Sequence, residues 1–283
     1  MSLTRDWNGE PLEAINTADD ENGTWLVCDY GRNLITTGVV PWPPPSIVQK
    51  LHRSRHGDRF RDEIKAQAAE KLGFYCDLQS LHSEDAITWS FFGPLAAAGP
   101  EGAARFLNWL CARLDLPWTE NRRCAVDLWR RIVHPETKGM GGPELDFVLS
   151  GDRSVVLGEA KWFSGEGRGQ GRRGEGRQMD YRRRFLSEFA PAIYGDRGRL
   201  LLGLVLDQPI EEERPAPVPG VETAALHWAD LCEYEDHPAG PEFAAYYDWK
   251  QDHMSAAFRR RGRGRARNTS QAAGPRAGAR PSE

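Results

Sequence analysis

Apolar and polar positions along this chain follow two rhythms, one helical and one alternating, arranged in blocks. Phe60, Ile64, Ala68 and Leu72 recur at helical spacing between Asp58, a cap candidate, and Gly73, a stop. A second helix is predicted to begin at Ser83, an N-cap residue, with Glu84 and Asp85 in the first turn where the macrodipole favours acids. Its core face is Ala86, Ile87, Phe91 and Leu95, and its end is expected at Pro94 or at Ala96–Gly99. Glu101 to Leu114 predicts a third helix, with Phe106, Leu107, Leu110 and Leu114 inward. The rhythm then changes. Cys124–Val133 reads as a strand, and two β-prone runs flank the turn residues Ser150-Gly151-Asp152, which predicts a hairpin. A helix over Gln178–Phe189 and an apolar strand over Leu200–Leu206 follow.

Outside this block the signals are sparser. A strand is predicted at Thr24–Asp29, another near Thr223–His227, and a helix from Phe243 to Arg260. Val40–Pro45 holds four prolines and excludes both a helix and a central strand. Residues 1–23 are polar and predict no firm element. Glu211–Pro219 reads as a charged connector, and 261–283 as a disordered tail. The fold class is therefore α/β. Its core, 83–206, runs helix, three strands, helix, strand around a mixed central sheet, with an N-terminal extension (1–82) and a C-terminal strand and helix addition (207–260).

Composition changes this picture little. Hydrophobic residues at 40% and charged residues at 28% of 283 exclude a disordered chain and allow a sizeable core. No apolar run approaches a membrane span, and the start, Met1–Asp6, lacks signal-peptide character, so a cytoplasmic, non-membrane protein is expected. Five scattered cysteines lack zinc spacing and fit reduced thiols. Charge is more informative. Eight arginines between Arg259 and Arg280 face one acid, Glu283, so the body is more acidic than the net −4. A second basic cluster holds Arg168, Arg172, Arg173, Arg177, Arg182, Arg183 and Arg184. Both clusters are compatible with a polyanion partner.

The candidate chemistry lies in the hairpin. Side chains alternate along a strand, so Glu159 and Lys161 share a face while Ala160 points away. Asp146 on the partner strand is near enough to meet them. Converging carboxylates and an ammonium are costly unless a cation or reacting anion uses them. The plain alternative is an exposed strand carrying a surface Glu159–Lys161 pair, worth little. Glu144 shares a face with Asp146 and reads as a rim residue, and His134 as structural.

Asp146, the triplet Glu159-Ala160-Lys161 and the element order over Ser83–Leu206 resemble the PD-(D/E)xK nuclease superfamily, the fold of many restriction endonucleases and junction resolvases. The resemblance implies a Mg²⁺-dependent phosphodiesterase, with Mn²⁺ as substitute, and an endonuclease acting on DNA rather than RNA in restriction, phage defence or repair. It implies Asp146 and Glu159 as metal ligands, the Ala160 carbonyl as a further one, and Lys161 as the group that positions or deprotonates water. Glu84 resembles the helix glutamate that reaches the metal, often through water; complementing the helix N-terminus is its ordinary alternative, and Glu63 its substitute. Gln178, with Tyr181, resembles the family's fourth motif. The arginines from Arg168 to Arg184 are expected to meet phosphates. A homodimer or a larger complex would suit double-strand cutting. The competing class is a nuclease-like fold that grips nucleic acid without cutting it.

Overall fold

The computed structural model describes residues 2–16, 25–35, 77–162 apart from 135, 137, 140 and 141, 178–205 and 218–253. The helix expected at Asp58–Gly73 with Glu63, the proline-rich segment, Arg168, Arg172, Arg173 and Arg177, the Glu211–Pro219 connector apart from its last residues, and the basic tail all lie outside the described residues.

Three antiparallel strands begin the fold: β1 (Ser2–Arg5), β2 (Pro11–Asn16) and β3 (Trp25–Val27). Helices α1 (Glu84–Ala97) and α2 (Gly99–Arg113) follow. The Ser83 hydroxyl caps α1 by accepting from the Ala86 N–H at 3.1 Å. Pro94 does not end α1, which runs on to Ala97. Every residue from Asp85 to Leu95 is buried, so α1 is a core helix closed in on all sides.

A five-stranded sheet in the order β4-β5-β6-β7-β8 forms the centre. Its strands are β4 (Cys124–Arg131), β5 (Glu144–Gly151), β6 (Ser154–Ala160), β7 (Gly198–Val205) and β8 (Glu222–His227). The first three pair antiparallel, and β6, β7 and β8 pair parallel, which makes the sheet mixed. β6 is buried along its whole length, as a strand covered on both faces must be. Helices α3 (Gln178–Glu188) and α4 (Ala190–Tyr194) connect β6 to β7. Beyond β8 come α5 (Trp228–Leu231) and α6 (Gly240–Asp252).

Two cores result. Phe91, Phe92, Phe106, Phe147, Leu149, Val156, Leu202 and Leu204 join α1 and α2 to one face, together with Trp228 and Phe243. Leu145, Val148, Val155, Leu157 and Leu201 meet Met179, Phe185 and Leu186 of α3 on the other. The fold is α/β, with helices on both faces of a mixed sheet. β8 belongs to the same sheet, so the C-terminal addition extends the core. The N-terminal strands dock on α6, where Trp249 Nε1–H donates to the Arg5 carbonyl at 2.7 Å and Trp7 packs edge-on against Tyr246. Among the described residues, no helix is long and apolar enough to cross a membrane.

Candidate active site

The site forms where the β5–β6 ladder stops. Backbone pairing runs from Ser150–Val155 to Phe147–Gly158. One step further, the Asp146 side chain replaces the missing rung, its Oδ2 accepting the Ala160 N–H at 2.7 Å. The disturbance crosses the sheet. On β4, Trp129 lies between the pairs Leu128–Phe147 and Arg130–Leu145, and so opposite Asp146, with a positive φ of 52°. Its indole N–H donates to Asp85 Oδ1 at 2.9 Å, which ties the bent strand to the first turn of α1. Gly158 precedes Glu159, and a Cβ there would fall inside the Phe147 ring, which stacks on Phe92 at 4.0 Å. Glycine at 158 thus lets Phe147 lie across β6.

Lys161, just past the end of β6, is the hub. Its Nζ lies 2.6 Å from Glu159 Oε1 and 3.3 Å from Glu84 Oε1, and donates to the Ala160 carbonyl at 2.9 Å. The second Glu84 oxygen accepts the Trp162 N–H at 3.0 Å. Residues far apart in the chain are therefore brought together: Glu84 from the start of α1, Asp146 from β5, Glu159 and Lys161 from the end of β6. The Glu159 side chain is 1% exposed and Lys161 12%, so this is not a solvated surface pair.

Burial and the charge of Glu159 hold the Asp146 carboxyl well above the usual carboxylate range. For Lys161, burial works against the charged form, but Glu159, then Glu84 and Asp146, outweigh it. Its ammonium is held above the ordinary lysine value.

The arginines of α3 are arranged differently from the sequence expectation. Arg182 does not face solvent. It is 1% exposed, ion-paired through Nη2 with Glu159 Oε2, and donates to the Glu144 carbonyl at 2.7 Å. Arg183 is buried too, with Asp180 at 3.6 Å. Arg184 is the one of the three that reaches solvent, half-buried, and it pairs with Glu188. The reason is helical period: position 182 falls on the stripe of Met179, Phe185 and Leu186 that packs on the sheet. Gln178 is the first residue of α3. Tyr181 is buried and donates to Glu136 Oε1 at 3.0 Å, with the His134 ring beside it. The Glu144 carboxylate pairs with Arg131 at 3.3 Å, a rim contact.

Three partners had no place in the sequence reading: Arg182 as counter-ion of Glu159, the Trp162 N–H on Glu84, and Trp228, whose buried Nε1–H donates to the Lys161 carbonyl at 3.1 Å. Only the first left a trace, in the stripe just described.

The oxygens gathered here, three carboxylates and a carbonyl, are hard donors of the kind Mg²⁺ and Mn²⁺ take. The three acids face two cations, Lys161 and Arg182, and the Asp146 carboxyl stays raised through its burial first and the charge of Glu159 second. As they stand the acids are turned onto ammonium, guanidinium and amide donors. Among the described residues no group of three or more His, Cys, Asp or Glu side chains is disposed to hold a metal ion. No protein-family model, no curated protein and no solved structure matches this chain.

Proposed function

We propose that this chain is a divalent-metal-dependent nuclease with a restriction-endonuclease-like core, hydrolysing phosphodiester bonds of DNA in preference to RNA. One observation carries the reading: the Lys161 ammonium is within 3.3 Å of acids from two separate elements, Glu159 and Glu84, at the point where Asp146 ends the β5–β6 ladder. A fold without chemistry to perform has little use for such a buried charge cluster, which costs stability.

Asp146 and Glu159 would hold Mg²⁺, with Glu84 as a water-mediated ligand. The Ala160 carbonyl, which accepts from Lys161 Nζ, would be a further oxygen ligand. The ion would polarise the phosphate and acidify a bound water. Lys161, kept charged by its neighbours, suits a donor that orients the attacking water and offsets charge building on phosphorus. The same charge makes it a poor general base. Trp228 and the Leu204 carbonyl hold the Lys161 backbone on both sides, at 3.1 and 2.7 Å, and so fix where the side chain starts.

A second reading has its own support. Both Glu159 oxygens already have cationic partners, as they would in a nuclease-like fold that binds nucleic acid without cutting. Plasmid and single-stranded DNA incubated with Mg²⁺ or Mn²⁺ separate the two. Cleavage by the wild type, lost in Glu159→Ala and Lys161→Ala, is the expected result. Tight binding with no cutting under any of these conditions transfers the protein to the binding class.

A further inference from the structure

Arg182 is the least expected member of the cluster. A guanidinium has five N–H donors, and here Nη2 serves both Glu159 and the Glu144 carbonyl. Its Nε and Nη1 are buried and meet no acceptor among the described residues. Buried donors without partners are costly, and a native fold keeps them where another state uses them.

We infer that Arg182 is a competing cation: it occupies Glu159 in the metal-free protein and yields it when a divalent ion is taken up, which frees the guanidinium for a phosphate oxygen of the substrate. The inference rests on Glu159 being a metal ligand, as proposed above. Charge decides the sign. A 2+ ion on Glu159 and a guanidinium on the same carboxylate repel at contact distance in a dry site, so one weakens the other. Lys161 does not compete equally, because it has Glu84 and the Ala160 carbonyl as further partners. Among the described residues Arg182 makes contact with the Glu144 main-chain carbonyl besides Glu159 and has no second carboxylate at bonding distance. Once Glu159 is released, Nη2 together with the unpartnered Nε or Nη1 makes the fork with which arginine takes a phosphate. Arg182 is a positioning residue in the resting protein and becomes a substrate contact in the loaded one.

The test uses the full chain and a readout that needs no turnover. Free Mn²⁺ is titrated by its electron-spin resonance signal against wild type, Arg182→Gln and Arg182→Lys, with thermal melting to show that each is folded. Arg182→Gln is expected to bind Mn²⁺ about 10-fold more tightly, by loss of the repulsion. Its single-turnover cleavage at saturating Mn²⁺ is expected to fall about 100-fold, by loss of the phosphate contact. Arg182→Lys keeps the charge and should hold near wild-type affinity. A merely structural arginine would not move affinity and turnover in opposite directions. Equal or weaker Mn²⁺ binding by folded Arg182→Gln overturns the inference alone, whereas a wild type that binds no Mn²⁺ overturns the metal centre itself. If Arg182→Gln does not fold, the Arg182 Nε–H resonance of the wild type decides. It must shift in step with Mg²⁺ uptake, and a resonance unmoved at saturation overturns the inference.

Discussion

The Asp146 carboxylate takes the backbone N–H of Ala160 at 2.7 Å, one residue beyond the last rung of the β5–β6 ladder. A side chain thus does the work of a strand carbonyl. In doing so it draws an acid against the Glu159 end of the neighbouring strand, where its ionisation is opposed by burial and by Glu159.

Asp146→Asn keeps the acceptor oxygen and removes the opposed charge. Because the folded-state value is raised, the stability linked to this group is full below its ordinary value of 3.8 and is lost as pH rises through the raised value. At neutral pH the asparagine variant should therefore melt higher than wild type in chelator. A rise of about 2–4 °C corresponds to ~1 kcal/mol in a chain of this size. It should also gain nothing from added Mg²⁺. A variant that melts lower at pH 7 and higher at pH 4 would contradict the sign.

Gly158→Ala should destabilise the fold by about 1–3 kcal/mol, the range for overpacking a core. The new methyl would meet the Phe147 ring, itself stacked on Phe92. Phe147→Leu opens room, so the double variant should lose less than the sum of the single ones in urea denaturation. Strict additivity would mean that the strain lies elsewhere.

Trp228→Phe keeps an aromatic side chain, smaller than the indole, and removes the donor to the Lys161 carbonyl. Leaving that carbonyl unpaired should cost about 1–3 kcal/mol in denaturation. If Lys161 acts as proposed, the loss appears in kcat with KM for DNA little changed, since the lysine is displaced while the substrate surface is not. Unchanged kcat would show that the lysine is placed well enough without this bond.

Lys250 lies fully buried on α6, with Asn33 Oδ1 at 3.4 Å and the Tyr246 ring at 5.4 Å. Burial pulls its ammonium well below the usual 10.5. The folded state then disfavours the protonated form, so the unfolded chain binds more protons, and wild-type stability should rise with pH towards 10.5. Lys250→Met should raise the melting temperature at pH 7 and flatten that rise. Asn33 keeps its own bonds to the Leu78 and Ser80 carbonyls in the variant. Melting curves between pH 6 and 9 check both points.

Much of the frame was legible in the chain itself, because its signals are local. Ser83 caps α1 as a serine before two acids should, the hairpin turns near Gly151-Asp152, and the β-prone runs form β5 and β6. These follow from backbone preference and side-chain period, which act over a few residues. The acids at 146 and 159 and the lysine at 161 could be named as a group because a hairpin keeps its two strands adjacent. Tertiary packing decided the rest. Arg182 reads as one of three arginines placed to meet backbone phosphates until the sheet is in place, and only then does the stripe of Met179, Phe185 and Leu186 carry it inward onto Glu159. Trp228 is 67 residues from the lysine it holds, and no local rule links them. Sequence set which charges exist and on which strands. Which of them neutralise one another was settled by burial, since a charge removed from water must bond whatever the fold brings within reach.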